Sequence, residues 1–168
     1  MTPSEIGERT EAAILAALAA SGKHVLLPFG GHHRYDLAFE ESRGRLVKVQ
    51  CKSAYVAKGA LIFKTCSYVL GSPRDYRDEV DLFGIYCHDR SEVYFVPVGD
   101  VPTSRASLRL DPARNGQSAG IRMASTYLFR EGHLPDSLRD SCYALGPPQL
   151  VLIHVEHLQG AGSSEVGG

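Results

Sequence analysis

The residues best suited to chemistry fall in one short stretch, "RYDLAFEESRGRLVKVQCK", from Arg34 to Lys52. In extended chain, alternate side chains share a face. Arg34, Asp36, Ala38 and Glu40 therefore lie together, with Tyr35, Leu37 and Phe39 opposite. On the returning strand Leu46, Lys48, Gln50 and Lys52 oppose Val47, Val49 and Cys51. A three-residue turn over "SRG" (42–44), with Gly44 left-handed, sets Asp36 against Gln50 and Ala38 against Lys48. An acid, an amide and an amine then converge.

Such a trio suits metal-assisted hydrolysis of a phosphodiester. A hard divalent cation takes oxygen ligands, and Asp36, the Gln50 amide and the Cys51 backbone carbonyl can supply them. The ion acidifies a water and neutralises charge on the phosphate, while Lys52 orients the water or stabilises the developing anion. A fourth group comes from the N-terminal segment. At 100° per residue Glu11 falls roughly 20° from Leu18, 40° from Leu15 and 60° from Ile14. It is thus expected within the stripe that faces the sheet, where an unpaired carboxylate costs several kcal/mol. Glu11 is expected to hold a water or a second ion, with Glu8 as second choice, and Gly7 to let a neighbour approach. The same spacing also fits a plainer arrangement, in which Glu11 bonds a lysine and Asp36 pairs with Lys52.

The elements that must position these groups are legible from punctuation and period. Thr2, Pro3 and Glu5 spell a helix start with a capping box, and Gly22 a stop. "HVLLPF" reads as a short strand and "GGHH" as a turn. "ALIFKTC", "DLFGIYC" and "EVYFVPV" read as further strands, with "GSPRDYRDE" a loop or short helix. Beyond Val98 a short strand and helical turns are expected, then a late strand "QLVLIHVEH". One domain is expected over residues 1–158, and a disordered Gly/Ser tail over 159–168.

Composition narrows the class. No apolar run approaches the ~20 residues that span a bilayer, and the N-terminus lacks a signal-peptide pattern, so a cytoplasmic protein without membrane contact is expected. Cys51, Cys66, Cys87 and Cys142 have no CxxC or zinc spacing and are expected as buried, reduced thiols. A net charge of −1 argues against indiscriminate coating of nucleic acid, though not against a local basic patch. Residues 101–130 hold five arginines (Arg105, Arg109, Arg114, Arg122, Arg130) against one acid, Asp111. Phosphate contacts are a natural use of that excess and a solvated surface is the alternative. Asn115 and Gln117 can read base edges or form turns. Arg74, Tyr76 and Arg77 either touch a DNA backbone or belong to a solvated loop. "GIY" at 84–86 has no "YIG" partner and reads as core; His32 and His33 have no workable zinc partners and read as a turn beside the site.

Together these residues resemble the PD-(D/E)XK nuclease superfamily, whose core is a helix and a β-hairpin carrying an aspartate and then an acidic-x-lysine triplet. Glu11 matches the helix acid, Asp36 the aspartate, and "QCK" (50–52) the triplet, with Tyr35 where the motif has proline and Gln50 where it has an acid. "GERTEAAILAAL", "LLPFGGHHRYDL", "VKVQCKSA", "VDLFGIYCHDRSEVYFVPV" and "LRLDPARNGQ" are similar, in order, to blocks of the group I intron-associated homing endonucleases. The resemblance implies an α/β, restriction-endonuclease-like core with a central mixed β-sheet flanked by helices. It implies Mg²⁺-dependent cleavage of double-stranded DNA, with Mn²⁺ able to substitute, and a homo-oligomer, dimer or tetramer. Asp36, Gln50, the Cys51 carbonyl and Glu11 would be the metal set, Lys52 the cation beside the water, and His33, Arg34, Arg105, Arg109, Arg114, Asn115 and Gln117 the DNA contacts. The rivals are a Holliday junction resolvase or restriction-type nuclease on the same core, and a non-catalytic DNA-binding protein with a decayed site.

Overall fold

The computed structural model of the chain describes residues 1–41, 44–112, 120–130 and 134–135. Helix α1 (Pro3–Ala20) starts as its punctuation predicts: the Thr2 hydroxyl accepts from the Glu5 N–H at 3.3 Å, and the Glu5 carboxylate accepts from the Thr2 N–H at 2.7 Å. It closes at Ser21, with Gly22 at φ +72°, a region glycine enters without a Cβ penalty.

Seven strands among the described residues form one mixed sheet: β1 (Val25–Leu26), β2 (Leu37–Glu40), β3 (Leu46–Ala57), β4 (Ala60–Lys64), β7 (Leu82–Cys87), β8 (Glu92–Pro97) and β9 (Arg105–Arg109). A separate hairpin, β5 (Ser67–Val69) with β6 (Ser72–Arg74), stands between β4 and β7. Short 3₁₀ turns follow at Val98–Asp100 and Ala124–Thr126. The α/β core with a central mixed sheet is thus as expected, although α1 is the one α-helix among the described residues. The "HVLLPF" strand shrinks to two residues, and part of "GSPRDYRDE" is strand, because Ser72–Arg74 pairs back on Ser67–Val69. The late strand, the tail and Cys142 lie outside the described residues.

Strand β3 is the axis of the sheet, and its two edges are used unequally. Val49 pairs with Leu37 of β2 and with Leu82 of β7, so β2 and β7 lie on opposite edges. The parallel β7 runs beside residues 49–54, and just beyond it Asp89 Oδ2 accepts the Val56 N–H at 3.1 Å. Since backbone groups alternate between edges, β4, which pairs with residues 55–57, shares the edge of β2. That edge forks between Val49 and Tyr55. The hairpin register is the expected one, Ala38 opposite Lys48, and Gly44 takes φ +76°; the rest of the turn, Ser42 and Arg43, lies outside the described residues.

Period two divides the core between the faces of the sheet. Val47, Val49, Leu82 and Phe95 pack with Ile14 and Leu18 of α1. On the other face Phe63, Phe83, Ile85, Tyr94 and Leu108 gather under Tyr76, Val98, Val101 and Tyr127 from the connecting segments. Gly84 sets how closely α1 approaches. A Cβ there would stand 2.8 Å from Ile14 Cγ2 and 3.0 Å from Val49 Cγ1. The "GIY" stretch is therefore core, as expected, and its glycine is the near-contact point of helix and sheet.

The helix face differs from the expected one. Its buried residues are Thr10, Ile14, Ala17 and Leu18, while Leu15 is half-buried and Glu11 exposed. The stripe is turned toward Thr10 because that hydroxyl finds polar partners inside, Ser53 Oγ at 2.6 Å and His88 Nε2 at 3.1 Å. Glu11 thus stands at the margin of the interface. Gly7 has nothing within 4 Å of its missing side chain, so the close approach expected there occurs at Gly84 instead.

Replacing Gly84 by alanine should push α1 off the sheet and lower stability by about 1–3 kcal/mol. Chemical unfolding of Gly84→Ala beside the parent measures this; an unchanged midpoint would remove the glycine from that role.

Candidate active site

The fork leaves β3 backbone groups with no strand beside them, and a side chain takes one of them. Asp36, one residue before β2, extends the ladder through its own N–H, which donates to the Val49 carbonyl at 2.9 Å. Its carboxylate turns into the fork, where Oδ2 accepts the Cys51 N–H at 2.7 Å and the Gln50 side-chain amide at 2.5 Å. With the Gln50 nitrogen so engaged, its amide oxygen is the free end. Oδ1 of Asp36 has no hydrogen bond among the described residues. The Cys51 carbonyl shares an edge with its N–H and so also points into the fork.

Burial pushes the Asp36 carboxyl above the usual range, and the Cys51 N–H, Lys52 and Gln50 pull against that. Glu11, although exposed, is raised too, first by partial desolvation where it borders the sheet, then by the charge of Asp36 and that of Glu8. The Asp36 charge is thus felt at Glu11. Cys51 is buried, and its thiol is pushed up by burial and by the Asp36 and Glu11 charges, which makes it a poor nucleophile or thiolate ligand. Two raised carboxylates, a free amide oxygen and a backbone carbonyl are hard oxygen donors, the set a Mg²⁺-like ion takes. The described residues contain no cluster of three or more His, Cys, Asp or Glu side chains able to hold a metal, so amide and carbonyl oxygens must complete any such set.

Lys52 projects to the face away from α1 and is fixed there by an aromatic residue, Tyr76. Its ammonium donates to the Tyr76 hydroxyl at 2.9 Å and lies 4.6 Å from the centre of the Tyr76 ring. Tyr76 is buried and meets Phe83 edge-on, so it belongs to the core and not to a solvated loop. The signal in sequence was a tyrosine alone among charged residues in "GSPRDYRDE". Arg34 braces the same ring at 4.2 Å, and its guanidinium donates to Glu79 at 2.5 Å, Ser67 Oγ at 2.7 Å and the Asp75 carbonyl at 2.6 Å. Arg74 adds a second ion pair to Glu79, whose carboxyl is held below the ordinary range first by Arg34. Arg34, expected at DNA, thus ties the 67–79 segment to the site.

The other expected contacts are spread more widely. His33 is exposed, with its ring on the Phe29 carbonyl at 3.0 Å. Glu8 is exposed and accepts from the Ser4 hydroxyl at 3.2 Å. Arg105 is exposed, while Arg109 is half-buried, its Nε without a hydrogen-bond partner among the described residues. Arg114, Asn115 and Gln117 lie outside the described residues. No described helix is long and apolar enough to cross a membrane.

A family model described as PD-(D/E)XK endonuclease matches residues 1–130, which include α1, the fork and β9. Among solved structures the chain is similar in fold to the bacterial homing endonuclease I-Ssp6803I, with a TM-score of 0.55 and 22% identity over 76% of this chain and 87% of that one. No curated protein matches the chain.

Since part of the rise at Glu11 comes from the Asp36 charge, Asp36→Asn should lower the Glu11 midpoint while leaving it above the ordinary carboxylate range, because burial remains. A carboxyl ¹³C NMR titration reads both values. A Glu11 midpoint indifferent to the substitution would separate the two groups.

Proposed function

The chain belongs to the PD-(D/E)XK endonuclease family, and on that premise we propose that it hydrolyses phosphodiester bonds of double-stranded DNA with a divalent cation, as a homing-type endonuclease. The observation carrying this reading is the fork: Asp36 fastened to the Cys51 N–H and the Gln50 amide, with Lys52 next along β3 and Glu11 within electrostatic reach. Asp36 Oδ1, the Gln50 amide oxygen and the Cys51 carbonyl would hold Mg²⁺, or Mn²⁺ in its place, with Glu11 as an auxiliary ligand. When bound, the ion supplies charge neutralisation at the phosphate and a lowered water pKa.

The chain's own residues do the rest. Lys52, steadied by the Tyr76 hydroxyl, sets its positive charge where phosphoryl oxygens gain negative charge, the placement that favours the transition state over the ground state. The Glu11 carboxylate accepts a hydrogen bond from the water that attacks phosphorus. Asp36 is held beside Lys52 through its bonds to β3. One such site cuts one strand, so a double-strand break takes at least two subunits. The sheet edge supports an assembly: Leu27 and Phe29, which follow edge strand β1, are 65% and 100% exposed. Sedimentation should then show a dimer or tetramer, and a strict monomer that still linearises DNA would count against this part.

Supercoiled plasmid should be nicked or linearised with Mg²⁺ and left intact in EDTA. Asp36→Ala and Lys52→Ala should each lose at least about a hundredfold in rate while keeping the parent's DNA affinity. Full turnover in either variant would overturn the residue roles, and cleavage of a four-way junction in preference to duplex would move the substrate to branched DNA.

Gln50→Glu separates the ligand role from the hydrogen-bonding one. It replaces the donor on Asp36 Oδ2 by a second carboxylate. Without a divalent ion the variant should be less stable by about 1–3 kcal/mol; with Mg²⁺ it should reach half-maximal cleavage at a lower concentration. Thermal melts with and without Mg²⁺ and a Mg²⁺ titration of the rate check both halves.

A further inference from the structure

From the fork a groove of about 390 Å³ runs across β3 and β4 to β9, lined by Lys52, Ser53, Tyr55, Ile62, Lys64 and Arg105 among others, with no acidic residue in its wall. We propose that this groove carries the backbone of the DNA strand leading away from the cleaved bond, with Lys64 and Arg105 holding two of its phosphates. The proposal rests on the nuclease reading and adds to it a path for the strand.

The argument begins with a cross-strand pair. Lys64 and Arg105 sit directly opposite one another on β4 and β9, and both are exposed. Like charges in that position repel, and a fold gains nothing by keeping them. Neither is relieved by an acid: the ion pairs among the described residues join Arg34 and Arg74 to Glu79, Arg45 to Asp81 and Arg90 to Glu92. Lys64 instead lies 6.0 Å from the Tyr68 ring. A phosphate lodged between the two cations turns this repulsion into two attractions.

The second argument is position. Lys52, placed at the reacting phosphate by the nuclease reading, lines the same groove as the Lys64–Arg105 pair. Lys52 is turned to the face of Tyr76 and the Lys64–Arg105 pair to the opposite face, so a strand leaving the reacting phosphate reaches the pair across the notch between β2 and β4, where both border the groove. Alternation provides the open surface: Leu61, Phe63, Ala106 and Leu108 are buried on one face of β4 and β9, which turns Ile62, Lys64, Arg105 and Ser107 to the other. Helix α1 packs chiefly on β3 and β7, and Lys64, Arg105 and Ser107 stay exposed.

The test is the salt dependence of binding to a fluorescein-labelled 30-base-pair duplex of arbitrary sequence, by anisotropy of the full chain in Ca²⁺. Each phosphate contact contributes about 0.9 to the slope of log K against log salt. Lys64→Ala and Arg105→Ala should each make that slope shallower by about one, and the double variant by about two. Arg9→Ala removes the same charge from an exposed position on α1 and should leave the slope at the parent's value. Because the substitutions relieve a repulsion, Lys64→Ala should melt no lower than the parent, which sets lost affinity apart from lost fold. A parent that binds and cleaves DNA while the double variant keeps its slope would overturn the groove and leave the nuclease reading standing. A parent that neither binds nor cleaves DNA would overturn both.

Discussion

Along the edge of β3 between Val49 and Tyr55, where β2 has ended and β4 has not begun, the Cys51 N–H has no neighbouring strand and bonds the Asp36 carboxylate. A buried donor left without a partner costs on the order of 1–3 kcal/mol. The side chain that prevents this loss is thereby fixed by the backbone, and it cannot swing away without uncovering the donor. Asp36 is tied down further by its own N–H on the Val49 carbonyl. The carboxylate is thus positioned by the sheet itself, with little rotamer freedom left to spend on binding an ion.

The rest of the described structure extends from that fixed point in two directions, set by the alternation of β3. Cys51 faces the helix, and beside it in register stands Gly84, whose missing side chain lets Ile14 settle on the sheet. That contact brings α1 down until Glu11, at its margin, feels the Asp36 charge. Gln50 and Lys52 face the other way. There Lys52 is held by Tyr76, Tyr76 is braced by Arg34, and Arg34 is bound to Glu79, Ser67 and Asp75. A residue in the 67–79 segment therefore sets the position of the ammonium, although that segment contributes no oxygen donor to the fork.

How much of this was legible in the sequence follows the range of each signal. The helix cap and the hairpin register were readable because both are local: Thr2 and Glu5 are three residues apart, and Asp36 and Gln50 are set by period two around a short turn. The Glu11 environment was not legible because a helical wheel weighs apolar residues and undercounts Thr10, whose hydroxyl, besides donating to the Ile6 carbonyl, meets Ser53 and His88, far along the chain. The Tyr76 clamp is likewise a non-local arrangement. A tyrosine among charges gives no local sign of lying against Phe83. Nor does the strand pattern reveal that β3 continues to Ala57, past the triplet, and so forms the fork at all. The common face of Asp36, Gln50 and Lys52 was local and legible; the unequal pairing of the two edges of β3, which leaves the Cys51 N–H to Asp36, was not.

The glutamine in the triplet acquires a physical meaning in that setting. Asp36 and Glu11 are already held above the ordinary carboxylate range, chiefly by burial. An acid whose folded value is raised binds more protons folded than unfolded, so its cost to stability is absent at low pH and fully present once the pH exceeds the raised value. Above their raised values Asp36 and Glu11 are both ionised and both oppose folding. A third at position 50, against Asp36, would add to that burden whenever no cation is present. On the proposed reading, glutamine would offer a cation an oxygen while its nitrogen bonds Asp36. It would exchange some attraction for such an ion against a fork that holds together without one. The Lys52 ammonium, bonded to the Tyr76 hydroxyl, is not consumed in neutralising a third acid.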